Sequence, residues 1–185
     1  IVLALGASVL TSPLTPHAQP QTKIWRIGFL YLLSGQSAAD TGRNKAFLEG
    51  MRQLGYIEGK NLLIEWRFAD GKPERLAGLA ADLIRLNVDL IVTSGTIAST
   101  AAQKATATLP IVMTNAGDPV ASGLVKSLAR PGGNITGLSS NSGDLSPKHL
   151  EMLLSMVPKL SRVAVLLNPG NSSHALYLKS IEAAA

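Results

Sequence analysis

Ile24-Trp25-Arg26-Ile27-Gly28-Phe29-Leu30-Tyr31-Leu32-Leu33 is the stretch that decides the fold. A run so nearly continuous in apolar residues suits a strand covered on both faces, as in a parallel sheet, because a strand with one wet face would alternate in polarity. The polar loop Ser34-Gly35-Gln36-Ser37 follows. Then Phe47, Leu48, Met51 and Leu54 repeat at helical spacing ahead of Gly55, a residue type suited to the position just past a helix end. Strand, loop and helix make one unit.

Outward from there the unit recurs. Residues 62–66 predict a second strand, and the next helix opens with Pro73 and carries Leu76, Leu79, Ala80, Leu83 and Leu86 on one face. Residues 89–93 predict a third strand, from which Ser94-Gly95-Thr96 leads into an alanine-rich helix reaching about Ala105. A fourth strand at 110–114 is followed by the loop Asn115-Ala116-Gly117-Asp118-Pro119, a short helix over 121–128, a turn at Arg130-Pro131-Gly132-Gly133 and a fifth strand at 135–138. Such alternation implies an α/β fold with an open, doubly wound, mostly parallel sheet, since parallel strands need crossovers and right-handed crossovers put helices on both faces.

Ser146-Pro147 predicts the start of another helix, with Leu150, Leu153, Leu154 and Val157 on its apolar face and Pro158 closing it. Arg162-Val163-Ala164-Val165-Leu166-Leu167 then echoes Arg26 to Tyr31: a basic residue enters an apolar strand that ends in a Gly-containing loop, here Asn168-Pro169-Gly170-Asn171. The expected division is a leader remnant and linker at 1–22, a first α/β lobe at 23–143, and at 144–185 an interlobe helix with the start of a second, similar lobe. Ile1 to Leu10 is apolar, Thr11 to Gln21 is polar and Pro-rich, and no charge precedes Lys23. This pattern predicts the back half of a secretory signal peptide cleaved after Ala18. Its apolar run falls short of the roughly 20 residues that span a bilayer. Ser180 to Ala185 reads as uncapped helix interior, so the chain is expected to be an N-terminal fragment, truncated within the second lobe, of an exported, soluble protein.

Composition removes several chemistries. Apolar residues at 46% against 16% charged exclude disorder as the main state. The absence of cysteine excludes a disulfide scaffold, thiolate metal sites and a cysteine nucleophile. The formal charge of +5 is spread from Lys23 to Lys179 without a run, and aromatics at 4% offer no stacking platform, so no nucleic-acid partner is expected. Dinucleotide, phosphate-loop, nucleophile-elbow and zinc-helix fingerprints are missing, and no cofactor or metal is expected. His17 falls in the leader, His149 and His174 fall in first turns of expected helices, and the carboxylates do not pair for acid–base work.

In an open α/β sheet a ligand binds beyond the carboxyl ends of the strands, which makes the loops holding Ser34, Ser94-Gly95-Thr96, Asn115 to Asp118 and Asn168 the candidates. At Ser94-Gly95-Thr96 the free N–H groups of a helix N-terminus suit a ligand carboxylate, and Gly95 allows close approach; alternatively Ser94 or Thr96 caps its own helix. Asp118 suits a ligand ammonium or hydroxyl, or else serves as the turn residue before Pro119.

Arg26-Ile27-Gly28-Phe29-Leu30, Leu54-Gly55-Tyr56-Ile57-Glu58-Gly59-Lys60-Asn61, Gly117-Asp118-Pro119-Val120, Leu128-Ala129-Arg130-Pro131-Gly132-Gly133-Asn134-Ile135-Thr136-Gly137 and Val163-Ala164-Val165-Leu166-Leu167-Asn168-Pro169 together resemble the ABC-transporter substrate-binding proteins of the tryptophan/tyrosine-type periplasmic family. The resemblance covers Lys23 to the end. It implies a type I periplasmic-binding-protein lobe, a ligand cleft lined on the first-lobe side by Ser34, Ser94, Thr96, Asn115 and Asp118, a membrane permease as partner, a periplasmic location and a monomeric state. Two other classes share such a lobe: the effector-sensing part of a transcription regulator, which carries a helix-turn-helix segment where this chain has a leader, and an enzyme on the same doubly wound fold.

Overall fold

The computed structural model describes residues 23–35, 42–140 and 142–185. The leader with His17, and Gln36 and Ser37 of the first loop, lie outside the described residues. Five strands, β1 (Trp25–Tyr31), β2 (Leu62–Phe68), β3 (Leu90–Ser94), β4 (Ile111–Gly117) and β5 (Ile135–Ser140), form one sheet. Their order is β2-β1-β3-β4-β5 and every pairing is parallel. The apolar runs became strands because each is sandwiched. One face of the sheet carries Ile27, Phe29, Ile64 and Val92 under α1 (Gly42–Gln53), whose Phe47, Leu48 and Met51 pack onto them. The other face carries Leu30, Ile91 and Ile111 under α2 (Leu76–Arg85) and α3 (Thr96–Ala105), which bury Leu76, Ala80, Leu83, Ala98 and Ala102.

The chain leaves β1 toward β2 on one side and returns as β3 on the other. That reversal puts the topological switch point between the carboxyl ends of β1 and β3, where open α/β sheets hold ligands. The doubly wound parallel architecture read from the sequence is therefore present.

Several local expectations are corrected. Asn115, Ala116 and Gly117 belong to β4 and not to a loop; a register shift between Met113 and Ala116 lets the strand run on past a bulge against β5. Residues 121–128 form turns instead of a helix. Asp118 opens them at φ 28°, and Gly123, at φ 72°, ends the first turn, while Leu124 and Val125 still reach the core. Helix α4 (Ser142–Met156) begins four residues before the expected Ser146, which places exposed His149 in its middle and not in its first turn. Leu54 lies outside α1 and is exposed; on α4 only Leu150 is buried, while Leu153, Leu154 and the following Val157 are exposed. Residues 162–167 make no strand: they have no regular structure and no ladder, with 162–166 exposed and Leu167 half-buried, because no described strand lies alongside to take their N–H and C=O groups. Helix α5 (Ser172–Glu182) follows them, capped by Asn171, whose side chain accepts from the Ser173 N–H at 3.1 Å.

Candidate functional site at the carboxyl edge of the sheet

Because all five strands are parallel, their carboxyl ends share one edge. The register sets Tyr31, the last residue of β1, between Phe68 of β2 and Ser94 of β3. Half-buried Ser34 follows at the end of β1, Ser94 and Gly95 at the end of β3, and Asn115 and Asp118 at the end of β4, so these candidates share one rim.

Ser94 and Thr96 do not cap α3. The N-cap position belongs to Gly95, whose φ of 83° and ψ of 161° a side chain would resist, and no side chain accepts from the first turn. Thr96 has another task. Its buried Oγ1 accepts from the Gly117 N–H at 3.0 Å. Ser173 donates to the Gly117 carbonyl at 2.7 Å and Ser122 donates to the same oxygen at 3.1 Å. The Thr96 and Ser173 hydroxyls lie 3.1 Å apart. Three hydroxyls thus converge on the backbone N–H and C=O of one residue, Gly117, and tie the N-terminus of α5 to the start of α3 and the end of β4. Among the described residues no buried side-chain polar atom lacks a partner.

Asp118 takes the turn role, accepting from the Ala121 N–H at 3.0 Å, and also lines a groove with Ser139, Ser140 and Asp144. Asn115 is exposed on β4. Asn168 organises its own loop: its side chain accepts from the Gly170 N–H and its own N–H donates to His174 Nδ1, both at 3.0 Å.

A second feature of the rim was hidden in the sequence. Phe29 and Tyr31 alternate on β1, Trp66 and Phe68 alternate on β2, and the register places Phe29 against Trp66 and Tyr31 against Phe68, with ring centroids 4.4 and 5.7 Å apart. Phe47 of α1 meets Phe29 edge-on at 5.0 Å. All three phenylalanines of the chain therefore gather here. Beside them opens a groove of about 330 Å³ lined by Tyr31, Phe47, Arg43, Asn44, Ser94 and Thr114. Buried Asn44 accepts from the Tyr31 hydroxyl at 2.8 Å, and burial pushes the Tyr31 phenol above its ordinary pKa, so the ring stays neutral. Tyr31 as a stacking surface at a strand end was legible; Arg43, Asn44 and the paired rings were not, because only strand register brings them together. A groove with apolar ring walls and a few hydroxyl, amide and guanidinium groups is suited to holding a small molecule with a flat apolar part and a polar head. Among the described residues no cluster of His, Asp and Glu is arranged to hold a metal.

Comparison with known proteins agrees with this geometry. The profile of a family described as "ABC transporter substrate binding protein" matches residues 26–185. A tyrosine-binding protein of Clostridioides difficile (strain R20291) is 32% identical over 137 residues, which is 74% of this chain and 39% of that protein. The crystal structure of a conserved domain protein from Vibrio cholerae O1 biovar El Tor superposes with a TM-score of 0.79 at 30% identity, covering 88% of this chain and 53% of that one. An ABC domain from Streptococcus pneumoniae, solved in complex with L-Trp, gives 0.76 at 25% identity, covering 86% and 52%. The chain thus spans about half the length of these solved structures, and its five-stranded lobe is of the type I periplasmic-binding-protein kind. It belongs to the ABC transporter substrate-binding protein family.

Proposed function

We propose that the protein is the extracytoplasmic solute receptor of an ABC importer and that its solute is an amino acid with an aromatic side chain. The observation that carries this reading is the groove at the switch point, where stacked rings stand beside Arg43, Ser94 and Thr114. The rings offer a face for a flat side chain, the guanidinium offers charge complementarity to an α-carboxylate, and the uncapped N-terminus of α3 adds a favourable field for the same anion. The relatives named for tyrosine and solved with L-Trp support the ligand class.

Ser34, Ser94, Gly95, Thr96, Asn115 and Asp118 belong to the first lobe's side of the cleft in this reading, and Asn168 to the loop by which the second lobe approaches. Binding works by capture: the first lobe holds the solute, the second closes over it, and the closed form is recognised by a membrane permease. No covalent bond changes, so the protein is a receptor and not an enzyme; it acts as a monomer in the periplasm after removal of its leader. A thermal-shift series on a form carrying both lobes tests this. At a hundred times Kd, L-tryptophan or L-tyrosine stabilises the native state by about 2.7 kcal/mol. That corresponds to a rise in Tm of about 5–10 °C, with the solute recovered unchanged. No shift with any aromatic amino acid refutes the ligand class, and consumption of the solute refutes the receptor.

A further inference from the structure

We propose that Tyr31, with its phenolic proton committed to Asn44, sets specificity within the rim groove: it presents only an acceptor to a bound ring and so favours aromatic solutes carrying an N–H or O–H on that ring over a bare hydrocarbon ring. This rests on the assignment of an aromatic amino acid to that groove.

The side chain behind Tyr31 is the first reason. Asn44 is the one buried residue of α1, at 5% exposure, on a helix whose Phe47, Leu48 and Met51 pack onto the sheet. Burying a carboxamide costs free energy unless it is hydrogen-bonded, and Asn44 accepts the Tyr31 hydroxyl proton at 2.8 Å. A phenol has a single proton to donate, so the lone pairs left on the oxygen can only accept. The second reason is that the ring is held. It stacks nearly parallel to Phe29 at 5.9 Å and lies beside Trp66 at 6.2 Å and Phe68 at 5.7 Å on β2, so rotation away from Asn44 would break several ring contacts. The third is position, since Tyr31 and Asn44 line the same groove as Phe47, Arg43 and Ser94. An indole N–H or a phenol O–H entering beside Tyr31 meets an acceptor. A phenyl ring entering there removes water from that oxygen and returns nothing to it, the situation in which sites built for hydrogen bonding discriminate strongly.

Calorimetric titration of the two-lobed form with L-tyrosine, L-tryptophan and L-phenylalanine tests the proposal. Tyrosine and tryptophan are expected to bind at least about tenfold tighter than phenylalanine. In Tyr31→Phe the three come within about threefold of one another, through weaker binding of tyrosine and tryptophan and tighter binding of phenylalanine, whose ring no longer covers an unpaired oxygen. The double variant Tyr31→Phe/Asn44→Leu also removes the buried carboxamide that the phenol engaged and gives the same levelled ranking if the single variant folds poorly. Equal wild-type affinity for all three overturns the role of Tyr31 while leaving the receptor reading intact. A uniform loss for all three in the variants makes Tyr31 merely a wall and also overturns it. Failure of the wild type to bind any of them removes the assignment on which the inference rests.

Discussion

Arg26 to Tyr31 and Arg162 to Leu167 are nearly the same message in sequence and opposite outcomes in structure. Each begins with arginine and continues as an apolar run into a polar, glycine-containing loop. The first lies between β2 and β3, with Leu30 wholly buried, and its arginine is tied down: Nη1 donates to the Leu86 carbonyl at 2.6 Å while the Arg26 N–H donates to Asp89 at 2.8 Å. The second has no strand on either side among the described residues, and Leu166 is 99% exposed. A run of β-branched and leucine residues is therefore a request for neighbours, and what makes a strand is the neighbours' backbone groups and the faces that cover it. Whatever stability residues 157–185 have comes instead from α4 and α5 and from the hydroxyl cluster at Gly117.

The widest gap between the two regions should appear on truncating one leucine in each. Leu30→Ala leaves a cavity in the core and is expected to lower unfolding free energy by about 2–5 kcal/mol, whereas Leu166→Ala changes it by less than about 0.5 kcal/mol in this chain. Urea unfolding measures both, and equal losses would mean that 162–167 is packed after all. In a form carrying both lobes Leu166→Ala should become costly, because the strand then has a ladder to join.

A smaller effect concerns the tie between the regions. Thr96→Val leaves the buried Gly117 N–H without its acceptor and is expected to cost about 1–3 kcal/mol. Hydrogen exchange should then speed up in α5 before it does in β1 and β3. Unchanged exchange in α5 would show that the hydroxyl cluster does not hold it.

The smallest effect is the anchor at the entry of β1. The Arg26 N–H first, and Lys23 second, hold the Asp89 carboxyl below its ordinary range. A carboxylate with a lowered folded-state pKa contributes stability that is complete above the unfolded value of about 3.9 and is lost as pH falls through the folded value. Asp89→Asn should therefore be less stable than the wild type by under about 1 kcal/mol at neutral pH, with the difference shrinking as pH falls from about 4 through the lowered folded value in denaturation series. A difference that persists at pH 2 would assign the effect to packing.

The same comparison explains what was legible in the sequence. Apolar runs at 24–33, 62–66, 89–93 and 110–114 named their strands because each met partners, and the rim then followed from parallel order alone, bringing Ser34, Ser94, Asn115 and Asp118 to one edge. Residues 162–167 form no strand here because the pattern carries no information about neighbours, and no described strand lies beside them. Residues 121–128 misled because apolar spacing does not reveal the backbone reversal at Asp118 and Gly123. The Thr96, Ser122 and Ser173 cluster and the Tyr31–Asn44 pair lay beyond reach for another reason. Hydroxyls and amides common on any surface acquire a role only when residues up to 77 positions apart are brought into contact.

The most direct test is to locate the solute. A crystal structure of the two-lobed form grown with L-tryptophan should show the indole against Tyr31 and Phe47, at the carboxyl ends of β1 and β3, with its carboxylate toward Arg43 or the start of α3. Indole density across the sheet beside Lys104, or at the amino edge beside Trp25 and Tyr56, would contradict the account.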